Sequence, residues 1–217
     1  FYICHFIKSV KYTYEVLVMR IIGLTGGIAS GKTEVANIMK KHGFYVINSD
    51  EIGHEILLEE KTKEEIINIF GTDILTNGQI DRKKLGKIVF SSPEKRQLIN
   101  KLIHPLVIAE IINRVKKAEK EGYDIVIIES AIIGEDENTL PPWLNGLILV
   151  LCPEELRIQR IMSLRNLSYD EAVSRIHSQK DPEEKKNFAN WIIYNNGGLN
   201  TLEENVRRVI EEIKSVI

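Results

Sequence analysis

Gly26-Gly27-Ile28-Ala29-Ser30-Gly31-Lys32-Thr33 fits G-x-x-x-x-G-K-[ST], the pattern of a phosphate-binding loop. The flanking residues supply the context that pattern requires. Arg20-Ile21-Ile22-Gly23-Leu24-Thr25 reads as a short buried strand. Residues 33–43 read as a helix, with Val35, Ile38 and Met39 three and four positions apart and Gly43 as its stop. An accidental Gly-rich turn would not be expected to carry both flanks.

The residue types follow from the chemistry of binding a polyphosphate. Glycine admits positive φ and close backbone approach. Successive N–H groups of Gly27, Ile28, Ala29, Ser30 and Gly31 then line an anion nest at a helix N-terminus. Lys32 is expected to reach the β- and γ-phosphates of ATP, and the Thr33 hydroxyl to bind Mg²⁺. The loop alone names no phosphate acceptor, nor does it require transfer.

The chain has 217 residues, enough for one good core with an inserted subdomain. With 43% apolar and 28% charged residues, its composition is that of a soluble globular protein. A net charge of −2 carries no basic excess for nucleic acid. The two cysteines, Cys4 and Cys152, form no disulfide framework, and the five histidines show no metal spacing, so a reducing cytoplasmic compartment fits best. No apolar run approaches a membrane span.

Residues 1–18 carry Phe1, Tyr2, Phe6, Tyr12 and Tyr14 among scattered charges, without the uninterrupted apolar core of a signal peptide. Met19 follows immediately before the first strand, so these residues are expected to be an extension outside the fold. A chain beginning at Met19 is therefore expected to be soluble and as active as the full chain. Loss of solubility or turnover on that truncation would make the extension structural.

Strand-like runs recur at 20–25, 44–48, 124–129, 147–152 and 191–194. Several are continuous and β-branched, as expected of a parallel sheet covered on both faces. The expected architecture is α/β, a three-layer fold with a parallel sheet of about five strands. Its core would comprise 19–50, 123–152 and 189–217. Between 51 and 122 the sequence reads as helix after helix with no convincing strand, and 71–78 as loop. Asp81 caps one helix there, and Ser92-Pro93 opens another that should bend or restart at His104-Pro105. A second helical excursion, 153–188, carries Arg157, Arg160, Arg165 and Arg175.

Three groups carry candidate chemistry. Asp50 closes the second strand, where a carboxylate could take or orient an acceptor hydroxyl; the competing reading is a helix cap. Glu129 ends an apolar strand, a position suited to Mg²⁺ or its waters, though the pattern is common. Arginine forks onto phosphate oxygens, so Arg160, Arg165 and Arg175 are candidates for the transferring phosphate, while Arg157 reads as a solvated helix face.

From Met19 almost to the C-terminus, the chain resembles the dephospho-CoA kinase family. The resemblance rests on Gly23-Leu24-Thr25-Gly26-Gly27-Ile28 through Lys32, on Gly78-Gln79-Ile80-Asp81-Arg82 with Leu85-Gly86 and Val89-Phe90, and on His104-Pro105. Arg175-Ile176, Gln179, Ile193, Asn195 and Gly197 extend it. It implies a P-loop kinase with a nucleotide-binding core, a helical region for the CoA precursor at 51–122 and a helical lid at 153–188. It also implies ATP-dependent phosphorylation of the ribose 3′-hydroxyl of dephospho-CoA, the last step of coenzyme A biosynthesis. On this resemblance Lys32, Asp50 and Arg165 are catalytic, and Thr33 and Glu129 hold Mg²⁺. Thr25, the loop residues, Arg160 and Asn195 bind nucleotide.

The chain departs from the family pattern at Asn48-Ser49-Asp50, where the first acid is absent, at Glu129-Ser130-Ala131, at Asn190, and in the spacing from Arg165 to Ser168. ATP and dephospho-CoA are the expected partners, with the protein a monomer or weak homo-oligomer and no nucleic acid or membrane involved. Two other readings are another P-loop nucleoside or nucleotide kinase and a non-catalytic nucleotide-binding switch. The long helical insertion opposes the first, and the lack of a guanine-reading motif opposes the second.

Overall fold

The fold is built around one sheet in a computed structural model that describes residues 19–133 and 140–216; the extension at 1–18 lies outside them. The chain divides into two compact units. One comprises the residues up to Ile47 and those from Ala118 onward, the other Asn48–Lys117.

In the first unit, β1 (Arg20–Gly26) leads into α1 (Lys32–Lys41) and β2 (Tyr45–Asn48). After the second unit come β5 (Ile125–Glu129) and β6 (Gly146–Leu151). The helices α6 (Glu154–Arg165) and α7 (Tyr169–His177) follow, then a 3₁₀ turn at Pro182–Asn187, β7 (Trp191–Tyr194) and α8 (Leu199–Ser215). The sheet order is β2-β5-β1-β6-β7, and β1 runs parallel to both its neighbours. Because the chain leaves β1 for an outer position and returns through β5, the crevice at the carboxyl end of β1 lies at a change of winding direction. That is where open α/β sheets bind ligands.

The sequence accounts for this layering. Every residue of β5 and β6 is buried, as continuous apolar runs in a covered parallel sheet should be. Val35, Ile38 and Met39 of α1 and Leu202, Val206, Val209 and Ile213 of α8 share one core with Ile22, Leu24, Ile127, Ile148 and Val150. The α8 positions recur every three or four residues, so one stripe of that helix enters the core while its charged residues stay in water.

The second unit contains α2 (Ser49–Ile56), α3 (Glu60–Phe70), β3 (Leu75–Thr76), β4 (Gln79–Ile80), α4 (Arg82–Phe90) and most of α5 (Pro93–Lys120). Ile66, Ile74, Leu85, Val89 and Ile99 form its core. Asp81 caps α4 through Lys83 N and Lys84 N, and Ser92 Oγ accepts from Lys95 N at the start of α5.

One sequence expectation is corrected here. The interval expected to be strandless contains the β3–β4 hairpin, turned by Asn77 and Gly78 at φ 52° and 75°. Asn-Gly at two central positions with positive φ is the strongest short hairpin signal, and it lies within the sequence. At His104-Pro105, where a bend or a restart was expected, α5 does not restart: it continues as one helix with Pro105 inside it. Proline removes one N–H from the ladder, and the turns on either side, anchored by buried Ile99 and Ile108, carry the helix through. Among the described residues, no helix is long and apolar enough to cross a membrane.

Candidate active site

The site begins where β1 ends. Gly31 holds φ 96° and precedes α1 without any side-chain cap, so the first N–H groups of the helix remain available to an anion. A side chain at Gly31 would also collide with the amide of Asn195, which donates to Ser30 O at 2.8 Å. Lys32 Nζ lies over the loop, donating to Gly26 O at 2.9 Å and Gly27 O at 3.1 Å. Ser30 Oγ is buried without a hydrogen-bond partner among the described residues.

Parallel register brings the metal candidates together. β5 pairs with β1 so that Glu129 lies opposite Leu24. The Thr33 hydroxyl donates to Glu129 Oε1 at 2.9 Å, and Glu129 is buried. A hydroxyl beside a carboxylate is an oxygen donor pair that could hold Mg²⁺. Among the described residues, no group of three or more Asp, Glu, His or Cys side chains is placed to hold a metal ion. The fit to Mg²⁺ therefore rests on this pair.

The arginine-bearing excursion seats on the loop. Ile28 and Ala29 pack against Ile158, Ile161, Ala172 and Ile176 of α6 and α7. Ile28 N donates to Gln179 Oε1 at 2.8 Å. Arg160 Nη1 donates to Ala29 O at 3.2 Å, and Arg160 Nη2 to Asn195 Oδ1 at 3.3 Å. Arg157 is buried, at 6% exposure, with its guanidinium against Gly27 and Glu154 Oε2 3.8 Å away. The solvated role expected for Arg157 is thus corrected. The available signal was its spacing, three residues before Arg160 and four before buried Ile161, which puts all three on neighbouring helix positions. Cys152 borders Arg160 at 3.3 Å. Burial pushes its thiol up, against the pull of the two arginines, so it stays neutral. A cavity of about 290 Å³ is lined by Cys152, Pro153, Arg157, Pro182, Tyr194 and Asn196, among others.

Thr25, the loop, Thr33, Glu129, Arg160 and Asn195 are therefore brought together. Arg165 is not: it is exposed at the last position of α6, next to Asn166 in the left-handed conformation. Arg175 is exposed in the last turn of α7. Strand β2 ends at Asn48, and Asp50, in the second unit, falls in the first turn of α2. The cap is Asn48, whose side chain accepts from Asp50 N at 2.9 Å and Glu51 N at 3.1 Å. The Asp50 carboxylate is thus not occupied as a cap.

Arg160→Ala is expected to lower kcat by about 10-fold or more and raise the KM for ATP, with little change in melting temperature, because the guanidinium steadies the loop carbonyls. Arg165→Ala should have the smaller effect. Steady-state kinetics on both variants check the order, and a reversed order would return Arg165 to the leading role.

A central parallel strand running into a glycine-lined anion nest, with a hydroxyl–carboxylate pair below it and arginines seated upon it, defines a P-loop kinase with a three-layer α/β fold. The family model described as dephospho-CoA kinase matches residues 20–201, and the chain belongs to that family. A dephospho-CoA kinase from Carboxydothermus hydrogenoformans is 38% identical over 91% of this chain and 96% of its own length. One from Arabidopsis thaliana is 34% identical, covering 90% and 84%. Among solved structures, a Thermus thermophilus protein superposes with TM-score 0.75 at 30% identity, covering 89% of this chain and 97% of its own. A dephospho-CoA kinase from Campylobacter jejuni gives TM-score 0.60 at 30% identity, covering 90% and 98%.

Proposed function

We propose that this chain transfers the γ-phosphoryl group of ATP to the ribose 3′-hydroxyl of dephospho-CoA, yielding CoA and ADP. The observation that carries the reading is the Thr33–Glu129 pair at 2.9 Å beneath the loop, in a chain matched to its family over residues 20–201. Lys32 and those loop N–H groups not already engaged, as Ile28 N is by Gln179, hold the phosphates. Thr33 and Glu129 hold Mg²⁺, which when bound neutralises charge on the phosphate oxygens. Arg160 and Asn195 hold the loop in its binding shape, and Arg157 adds positive charge over Gly27. The cavity beside Arg157 suits the nucleoside end of ATP, having both apolar and polar lining.

Asp50 orients the acceptor hydroxyl or takes its proton, residues 51–122 bind the CoA precursor, and 153–188 act as a lid. The protein works in the cytoplasm as a monomer or weak homo-oligomer. A coupled ADP-release assay with and without dephospho-CoA tests the function. ADP formation that requires dephospho-CoA supports it. Hydrolysis without acceptor dependence would favour a switch, and turnover only with nucleosides or nucleotides would favour another P-loop kinase.

A further inference from the structure

We propose that Lys185 is a positioning residue for the metal-binding side of the site, linking the lid excursion to the backbone that aims Glu129. The proposal rests on the kinase reading above. Lys185 belongs to the 3₁₀ turn Pro182–Asn187, yet it is only 5% exposed. Its Nζ donates to Ala131 O at 3.0 Å and to Thr25 Oγ1 at 3.2 Å. Thr25 Oγ1 in turn donates to Ala131 O at 3.3 Å, closing a triangle.

Each corner of that triangle adjoins the chemistry. Thr25 is fully buried, within β1 and immediately before the phosphate loop. Ala131 lies two residues after Glu129, and between them Ser130 N donates to Leu24 O at 3.0 Å. The segment that carries the Glu129 carboxylate toward Thr33 is therefore pinned twice, at Ser130 by β1 and at Ala131 by Lys185. A metal-ligating carboxylate takes its direction from its backbone, and groups that hold that backbone tune metal affinity. A buried ammonium is costly to desolvate, so Lys185 is held firmly to its acceptors at Thr25 and Ala131. Other lid-to-loop contacts, such as Gln179 on Ile28 N and Arg160 on Ala29 O, do not involve Lys185 and survive its substitution.

The test is calorimetric titration of the full chain with ADP, with and without Mg²⁺, beside steady-state kinetics. In Lys185→Met, metal-free ADP affinity should stay within about twofold, while the Mg²⁺ enhancement of ADP binding and kcat should fall about 10–100-fold. Lys214→Met removes the same charge from an exposed position in the last turn of α8 and should behave as the parent. Parental Mg²⁺ enhancement in Lys185→Met would overturn the proposal, as would an equal loss of metal-free ADP affinity, which would make Lys185 a support of the loop alone. Should Lys185→Met fail to fold, Thr25→Val decides. It removes one acceptor and should reduce the Mg²⁺ enhancement by a smaller factor; parental enhancement there overturns the proposal. If Mg²⁺ leaves ADP affinity unchanged in the parent, the underlying metal reading falls and this proposal with it. A responsive parent with an equally responsive Lys185→Met chain sinks this proposal alone.

Discussion

Asp50→Asn should lower kcat by about 10²–10⁴-fold, the range for a positioned general base, while ATP affinity changes little. Asparagine keeps the shape and the hydrogen-bonding capacity but removes charge and basicity. The competing role as helix cap is already filled, since the Asn48 side chain accepts from Asp50 N and Glu51 N. The substitution therefore costs α2 only one first-turn charge near its positive end, and melting should shift little. Kinetics with ATP and dephospho-CoA, together with calorimetric ATP titration, separate the roles. Lost turnover with retained ATP affinity supports Asp50 as base or orienter. Loss of Mg²⁺-dependent ATP affinity would make it part of the metal shell. Turnover at the parent rate would remove Asp50 from the mechanism and turn attention to Glu129.

Lys32→Ala should reduce phosphoryl transfer about 10²–10³-fold, the cost of removing one preorganised electrostatic group from a water-poor site. The fold should survive. Lys32 lies outside the buried core, and it donates to the carbonyls of Gly26 and Gly27 within the loop itself. Arg160 and Asn195 hold the loop at Ala29 and Ser30 independently. The variant should thus melt as the parent does while binding ATP more weakly. Normal melting with near-normal turnover would contradict the assignment of the loop.

The local code of this chain is strong wherever one short segment carries its whole physical reason. The phosphate loop is such a segment, because positive φ at Gly31, an uncapped helix start and Lys32 are all neighbours in sequence. The five core strands were equally legible, since a strand covered on both faces must be apolar throughout. The Asn77-Gly78 hairpin carried a local signal that the surrounding helical pattern masked.

What the tertiary structure alone decided is which charged residues are buried. Glu183-Glu184-Lys185-Lys186 reads as one solvated run, with nothing to separate its two lysines. The 3₁₀ turn sends Lys185 inward to Thr25 and Ala131 and leaves Lys186 paired with Glu183. Arg157, Arg160 and Arg165 are alike in sequence, but the seating of α6 on Ile28 and Ala29 sets the first two against the loop and leaves Arg165 in solvent. A charge's environment depends on segments more than a hundred residues away, as with Lys185 and Thr25, separated by 160 positions. No local pattern of hydrophobicity or propensity encodes such a partner. Packing chooses it, and the desolvation of the charge makes the choice matter.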